Sequence, residues 1–392
     1  MSGLESPTKL VLSKMVIALA TIIIALIRSA SSQSPAGCYE SIVSFGDSLA
    51  DTGNYPILVS DTHTPACILP PYGRTFFHRP TGRCSDGRLV IDFIAQSLGL
   101  PLVQPYITGR DRSFSKGVNF AVIGATALDS EFLGNIGFPN IVTNVSLGTQ
   151  IDWLKQFLAT VPDGRKLMQK SLVLMGEIGG NDYNHPIMQG SSLEEMQPLI
   201  QLVIHYIGST IEELIKLGAK TLMVPGNLPI GCFPFCLAAY KDSSNAQDYD
   251  PKTGCLNGPN DFAIYHNQLL QEELSRIREL YPHAVLIYAD YYNAAMRFYL
   301  SPAEYGFSKD IILSACCGGG GPYNFNGTAK CGIPPARSCD DPASYASWDG
   351  LHLTEAAYRL IAQGLLQGPY TIPHITTACP AFNRDDDQVY HY

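Results

Sequence analysis

Short apolar runs alternate with longer stretches of mixed polarity along this chain, and each kind of stretch predicts a different element. The apolar runs predict β-strands at residues 42–45, 119–123, 171–177, 221–224 and 285–290. The longer stretches predict helices at residues 88–98, 147–158, 193–217, 261–280 and 354–366, the last four with apolar residues at helical spacing. Strands that alternate with helices favour a parallel sheet covered on both faces, and continuous apolar strands suit a doubly buried sheet. We therefore predict an α/β fold, a three-layer α/β/α sandwich with a parallel sheet of about five strands.

The N-terminus has the pattern of a secretory signal peptide. Lys9 and Lys14 precede an apolar run at 15–27, and small residues follow it. The run is shorter than the roughly 20 residues that span a bilayer. We predict a signal peptide at residues 1–32 and a mature chain, 33–392, that forms a single domain without a stable membrane anchor. We therefore expect the protein to enter the secretory pathway and to reach either the extracellular space (the apoplast) or the vacuole.

Composition narrows the possible partners. The 392 residues include 26 basic and 35 acidic side chains, a formal charge of −9. Nucleic-acid binding needs clustered Lys and Arg, and no such cluster occurs, so we predict no nucleic-acid partner. Eleven cysteines suit a secreted chain in which disulfides persist, and their odd number leaves at least one thiol unpaired. Because Cys and His lack the spacing of a zinc site, we predict neither a metal nor a cofactor.

Two segments, 225–258 and 316–342, are rich in Pro, Gly and Cys and have no clear period. Long irregular segments in a domain are usually functional loops or loops held by disulfide bonds. We therefore expect both segments on the surface. N-glycosylation sequons begin at Asn144 and Asn326, and the predicted signal peptide favours their use.

Ser48 is the first candidate for chemistry. It follows the strand predicted at 42–45, and Gly46 permits a sharp turn between them. In open α/β sheets, ligands bind outside the carboxyl ends of the strands, so a serine here can present its hydroxyl to a cleft. The competing interpretation is that Ser48 caps a helix.

A serine nucleophile needs a base, and the base needs an orienting group. Asp349 and His352 lie three residues apart in a Gly-containing turn, and Thr354 is placed to cap the helix that follows. The competing interpretation makes Asp349 a turn residue and His352 a surface histidine. His205 and His266 lie in helical patterns and are predicted to be structural.

Acyl transfer also needs donors for an oxyanion. Gly124 and Asn181 both follow predicted strands, and either could supply an N–H group. The Gly-Gly-Asn-Asp run that contains Asn181 is otherwise an ordinary turn sequence. A second Gly-x-Asn-Asp run, at 258–261, opens a predicted helix, so Asn260 is assigned to that helix start.

Together these segments resemble the four sequence blocks of the GDSL, or SGNH, serine esterases and lipases. The blocks are Phe-Gly-Asp-Ser-Leu at 45–49, Gly-Val-Asn-Phe-Ala at 117–121 with Gly-Ala at 124–125, Gly-Gly-Asn-Asp at 179–182, and Asp-Gly-Leu-His at 349–352. They occur in the family's order and extend over nearly the whole predicted mature chain. The resemblance implies the SGNH hydrolase fold, which is flavodoxin-like. It implies that Ser48 is the nucleophile, His352 the base and Asp349 its orienting residue, with Gly124, Asn181 and the Ser48 amide as oxyanion donors.

Further segments resemble the plant branch of that family, at 72–77, 79–83, 85–88 and 225–232. Within this branch the chain looks most similar to the group that holds sinapine esterase and acetylajmalan esterase. It departs from many plant members at Ile123, where they have a glycine, and this change narrows the expected cleft. For the disulfides, the resemblance implies the pair Cys232–Cys255 and a bond from Cys331 to either Cys316 or Cys317.

The predicted function is that of a secreted serine esterase with a small-molecule ester as its substrate. The resemblance implies an acetate or phenolic ester of a plant metabolite, or a lipid, cleaved through an acyl-enzyme. One rival function is acyl transfer to an alcohol by the same triad. The other is a catalytically silent binding protein with the same fold, and the intact set of five site residues argues against it.

Overall fold

The computed structural model describes residues 37–108, 114–242 and 245–380. The predicted signal peptide at 1–32 lies outside them. The strands are β1 (Ser41–Ser44), β2 (Gln104–Pro105), β3 (Gly117–Asn119), β4 (Ser171–Leu174), β5 (Thr221–Pro225), β6 (Val285–Ala289), β7 (Cys317–Gly318), β8 (Arg337–Ser338) and β9 (Thr371–Ile372). The α-helices are α1 (Asn54–Leu58), α2 (Val90–Ser97), α3 (Ser130–Asn135), α4 (Leu147–Thr160), α5 (Gly164–Lys170), α6 (Asn181–Met188), α7 (Leu193–Lys216), α8 (Pro234–Tyr240), α9 (Asn257–Leu280), α10 (Tyr291–Leu300), α11 (Glu355–Leu366) and α12 (Ile375–Ala378).

The central sheet confirms the predicted α/β sandwich. Its order is β2-β3-β1-β4-β5-β6-β9, and all neighbouring pairs are parallel except β6 with β9. The five predicted strands are its centre, and the two-residue strands β2 and β9 extend its edges. Every residue of β1, β4 and β5 is buried, which explains their continuous apolar character.

Helix ends follow local capping signals. Ser192 accepts a hydrogen bond from the Glu195 N–H, and Glu195 bonds back to the Ser192 N–H, so α7 begins with a capping box. The predicted cap of α11 is confirmed, since the Thr354 hydroxyl accepts from the Ala357 N–H at 3.3 Å. This cap fixes the direction of the chain just after His352.

Several predicted boundaries are wrong. The strands predicted at 119–123 and 171–177 end earlier, at Asn119 and Leu174, although single hydrogen bonds to the segment after β1 continue beyond both ends. Several of the shorter helices, among them α6 and α10, were not predicted from the sequence. The sequence placed Asn181 in a turn that follows a strand. In the structure Asn181 is instead the first residue of α6.

The two irregular segments differ from each other. The surface prediction for 225–258 is wrong over 225–237, which is buried and includes the first residues of α8. The Asn260 side chain on α9 accepts from the Gly231 N–H at 2.9 Å and helps to hold this segment inside. By contrast, 316–342 is largely exposed and contains the small antiparallel pair of β7 and β8.

Four disulfides fasten the chain. They are Cys38–Cys379, Cys232–Cys255, Cys316–Cys339 and Cys317–Cys331. The pair Cys232–Cys255 is confirmed, and Cys331 bonds to Cys317 rather than to Cys316. Three cysteines, Cys67, Cys84 and Cys236, are unpaired and buried.

Candidate active site

Ser48 lies at the carboxyl end of β1, on a turn that only a glycine can begin. Gly46 has φ +126°, and a Cβ added there would lie 2.9 Å from the Glu177 carbonyl oxygen. The next N–H, that of Asp47, donates to this same carbonyl at 3.0 Å. Ser48 is 7% exposed, and neither its N–H nor its hydroxyl bonds to another described residue. Both groups are therefore available to a ligand.

Asp349 and His352 are joined in what we call the base turn, residues 349–352. The imidazole Nδ1 lies 2.8 Å from Asp349 Oδ2, and the His352 N–H donates to Asp349 Oδ1 at 2.9 Å. Gly350, at φ +97°, allows the tight turn, and the Phe325 ring packs where its Cβ would be. An imidazole that donates from Nδ1 to a carboxylate keeps its lone pair on Nε2, the form required of a general base.

The carboxyl of Asp349 remains ionised despite its burial. Burial alone would raise its pKa, but the charge and hydrogen bonds of His352 outweigh that effect, aided by a 2.8 Å hydrogen bond from the Tyr72 hydroxyl. The pKa of Asp349 is accordingly lowered below its usual value. A buried carboxylate held in this way can stabilise a positive imidazolium next to it.

Gly124 occupies a turn that leaves its N–H free. The Ala125 N–H donates to the Val122 carbonyl at 3.0 Å, and Gly124 has φ +78°, as the third residue of a type II turn requires. Asn140 and His185 both donate to the Gly124 carbonyl, at 2.9 and 3.1 Å. The turn is thus fixed, and the Gly124 N–H has no acceptor within the described ranges.

Asn181 differs from the free donor that the sequence analysis expects. Its amide nitrogen donates to Asp47 Oδ2 at 2.9 Å and to the Ala125 carbonyl at 3.0 Å. An amide nitrogen has two hydrogens, so both are already engaged. These two bonds place Asn181 next to both the turn that contains Asp47 and Ser48 and the turn that contains Gly124.

A pair of buried carboxyls, which sequence reasoning missed, lies beneath Ser48. Asp47 and Glu177 are 2% and 6% exposed and hydrogen-bond to each other. Burial, and then the neighbouring carboxyl, raise the pKa of Asp47 well above its usual value, and burial raises that of Glu177. The pair therefore retains a proton under conditions where exposed carboxyls are ionised. The signal in the sequence was an acidic residue three positions after the end of each of two strands, β1 and β4.

The base turn packs next to the cluster of buried side chains that includes Tyr72 and Trp348. Ile123 is partly exposed and packs against the buried cluster that contains Tyr72 and Trp348. The buried Tyr358 phenol on α11 lies within electrostatic range of both Asp349 and Asp47. No hydrogen bond joins Ser48 to His352 among the described contacts, and such bonds often form only when substrate is present.

The other predicted residues differ in their exposure. Asn144 and Asn326 are both exposed, as an acceptor for a glycan must be. His205 is exposed on α7, whereas His266 is buried, contacts the Tyr183 hydroxyl, and has its pKa lowered by burial to about 3. In the described part of the chain no group of three or more His, Cys, Asp or Glu side chains could hold a metal ion. No helix of that part is both long and apolar enough to cross a bilayer.

Comparison with known proteins agrees with this geometry. The family model described as GDSL-like Lipase/Acylhydrolase matches residues 42–365. Among similar proteins of Arabidopsis thaliana, GDSL esterase/lipase At1g28590 is 51% identical, with 90% of this chain and 88% of that protein covered. GDSL esterase/lipase At1g28670 is 47% identical, with 96% and 97% covered. The chain therefore belongs to the plant GDSL esterase/lipase family and is an enzyme that hydrolyses ester bonds.

Proposed function

We propose that this enzyme cleaves a small-molecule carboxylic ester through a Ser48–His352–Asp349 triad and an acyl-enzyme. The observation that carries the proposal is the 2.8 Å contact between His352 Nδ1 and Asp349 Oδ2, which leaves Nε2 as the free, basic nitrogen. Ser48, whose hydroxyl bonds to no other described residue, lies just after the carboxyl end of β1.

The reaction then proceeds in two halves. Ser48 Oγ attacks the acyl carbon while His352 Nε2 takes the hydroxyl proton, and Asp349 stabilises the imidazolium that forms. The tetrahedral intermediate breaks its bond to the alcohol oxygen, which receives the proton from His352. Water, deprotonated by His352, next attacks the acyl carbon. The bond from Ser48 Oγ to carbon breaks, and the proton returns to the serine.

The negative oxygen of the intermediate is stabilised by N–H groups. The N–H groups of Ser48 and Gly124 are both unbonded at this edge of the sheet and supply two donors. Asn181 becomes the third by moving one N–H from the Ala125 carbonyl, at 3.0 Å, to the substrate oxygen. The loss of one such donor typically costs about 2.7–4 kcal/mol in the barrier.

Export through the secretory pathway forms part of the proposal. Four disulfides support an oxidising compartment, and the exposed sequons at Asn144 and Asn326 support glycosylation. We further propose that residues 1–32 are removed and that residues 33–392 act as one domain. The resemblance to the sinapine esterase and acetylajmalan esterase group favours an acetate or phenolic ester as substrate, with lipid esters as the competing class.

Purified protein and its Ser48→Ala variant test the function directly. We expect the wild type to hydrolyse p-nitrophenyl acetate and Ser48→Ala to be inactive with an unchanged melting temperature. A panel of acetate, long-chain and aromatic choline esters then ranks substrate classes by kcat/KM. Adding a second alcohol separates hydrolysis from acyl transfer, since a hydrolase releases mainly free acid. A folded Ser48→Ala protein with near wild-type turnover would refute the proposed nucleophile.

A further inference from the structure

We propose, on the basis of the triad set out above, that Tyr72 is a positioning residue whose hydroxyl holds Asp349 in register with His352. Its oxygen donates to Asp349 Oδ2 at 2.8 Å, although the two residues are 277 positions apart in sequence. Tyr72 does not touch the reacting atoms in this arrangement. It acts through the carboxylate.

The five contacts of the carboxylate divide unequally between its two oxygens. Oδ1 accepts the backbone N–H groups of Leu351 and His352, at 3.0 and 2.9 Å, and lies 3.0 Å from His352 Nδ1, so it is bound by the base turn itself. Oδ2 carries the shorter contact to His352 Nδ1, at 2.8 Å, and accepts the hydroxyl of Tyr72. Among the described residues, Tyr72 is the one side chain besides His352 that hydrogen-bonds to Asp349. It therefore fixes the oxygen that lies nearer to the imidazole Nδ1.

The phenol is itself held firmly. Tyr72 is 4% exposed, and its ring meets the Trp348 ring edge-on with centroids 5.7 Å apart. Trp348 is fully buried and directly precedes Asp349, so the ring that supports Tyr72 belongs to the same segment as the carboxylate. On the other side, the Gly73 N–H donates to the Ser85 carbonyl at 3.0 Å and anchors the Tyr72 backbone.

Tyr72 acts as a permanent donor. Burial, and then the charge of Asp349, raise the pKa of its hydroxyl well above the usual value. The phenol thus stays protonated at pH values at which an exposed tyrosine begins to ionise. A permanent donor on Oδ2 spreads the negative charge of the carboxylate and restricts its rotation.

Tyr72→Phe removes this one oxygen and keeps the ring. We expect kcat to fall about 5- to 30-fold, equivalent to the loss of a hydrogen bond of about 1–2 kcal/mol, with little change in KM. The negative charge left on Asp349 becomes more concentrated and favours the protonated imidazole. The acidic limb of the kcat/KM profile should accordingly move to higher pH.

A double-mutant cycle with Asp349→Asn separates positioning from general stability. If Tyr72 acts through the carboxylate, Tyr72→Phe in the Asp349→Asn background should change kcat less than 2-fold. The matched control is Tyr299→Phe, since Tyr299 is equally buried and its hydroxyl has no partner among the described atoms. The control should leave kcat and the pH profile unchanged. Rates are expressed per active site, titrated with a fluorophosphonate, so that partial unfolding of a variant does not imitate a loss of kcat.

Two results would overturn the role of Tyr72. One is a Tyr72→Phe enzyme with wild-type kcat and an unmoved acidic limb. The other is a full 5- to 30-fold loss that persists in the Asp349→Asn background. If Ser48→Ala and His352→Ala are inactive in the same experiments, either result rejects only this inference. If those two variants retain activity, the triad itself fails.

Discussion

Asp349→Asn is the substitution that removes one charge from the site and leaves its shape. The carbonyl of the new amide can still accept the N–H groups of Leu351 and His352, now at 3.0 and 2.9 Å from Oδ1. The amide nitrogen takes the place of Oδ2 and faces the Tyr72 hydroxyl, which can accept as well as donate. The base turn therefore survives, and we expect the melting temperature to change by no more than about 3 °C.

The loss of activity follows from the proton on the imidazole ring. At 2.8 Å from Nδ1, the new amide N–H donates to that nitrogen and forces the ring proton onto Nε2. A protonated Nε2 cannot accept the proton of Ser48, and the charge that supported the imidazolium is gone. An orienting carboxylate replaced in this way costs up to about 10⁴ in kcat. We expect a fall of about 10²–10⁴, or roughly 2.7–5.4 kcal/mol in the barrier, with KM little changed.

Steady-state kinetics on p-nitrophenyl acetate, with a thermal melt of each protein, measure both expectations. Asp340→Asn is the matched control, because Asp340 is exposed and lies nine residues before Asp349 in the sequence. It should have wild-type kcat. If Asp349→Asn keeps its melting temperature and a kcat within 3-fold of wild type, Asp349 is a turn residue and the triad reasoning is wrong.

Three further expectations concern the loop disulfide, the buried acids and the glycans. Cys317→Ser combined with Cys331→Ser should lower stability by about 3 kcal/mol, because the unfolded chain regains the entropy of the open loop. The kcat should also fall before the protein unfolds, because the Cys317 N–H donates at 2.7 Å to the Trp348 carbonyl, next to the base turn. A still-folded variant with wild-type kcat would contradict this expectation. Burial raises the pKa of Asp182 to about 7, so the folded state binds its proton more tightly and stability falls as pH rises from about 4 to 7. The melting temperature should thus be higher at pH 5 than at pH 8, with a smaller difference in Asp182→Asn, and a rise with pH would refute it. Protein made in plant cells should lose mass on glycosidase treatment at Asn144 and Asn326, and intact mass before and after treatment checks this.

The sheet was predictable because its central strands are buried on both faces. A strand such as β4 consists wholly of buried residues, so its composition separates it from the amphipathic helices around it. The edge strands β2 and β9 have two residues each and too little length for any period. Helix α6 was missed for a different reason. It begins after two glycines, contains Pro186, and buries polar side chains such as His185, so it lacks an apolar stripe.

In the site, too, contacts between residues close in sequence were predictable, and contacts between residues far apart in sequence were not. Asp349 and His352 lie in one turn, and a spacing of three residues was enough to suggest their contact. The bond from Tyr72 to Asp349 spans 277 residues, and nothing in either local sequence indicates it. The engagement of both Asn181 hydrogens likewise depends on Asp47 and on a carbonyl from a third strand end. Pairings of this kind become visible only once the sheet has placed its strand ends side by side.

Covalent labelling of Ser48 tests the central claim most directly. A fluorophosphonate loses fluoride to an activated serine and forms a stable bond to its Oγ. We predict one adduct per chain, located by mass spectrometry on the peptide that contains Ser48, formed in step with the loss of esterase activity and much more slowly in His352→Ala. Complete inactivation with the adduct on another residue, or undiminished hydrolysis by protein fully labelled at Ser48, would contradict the account.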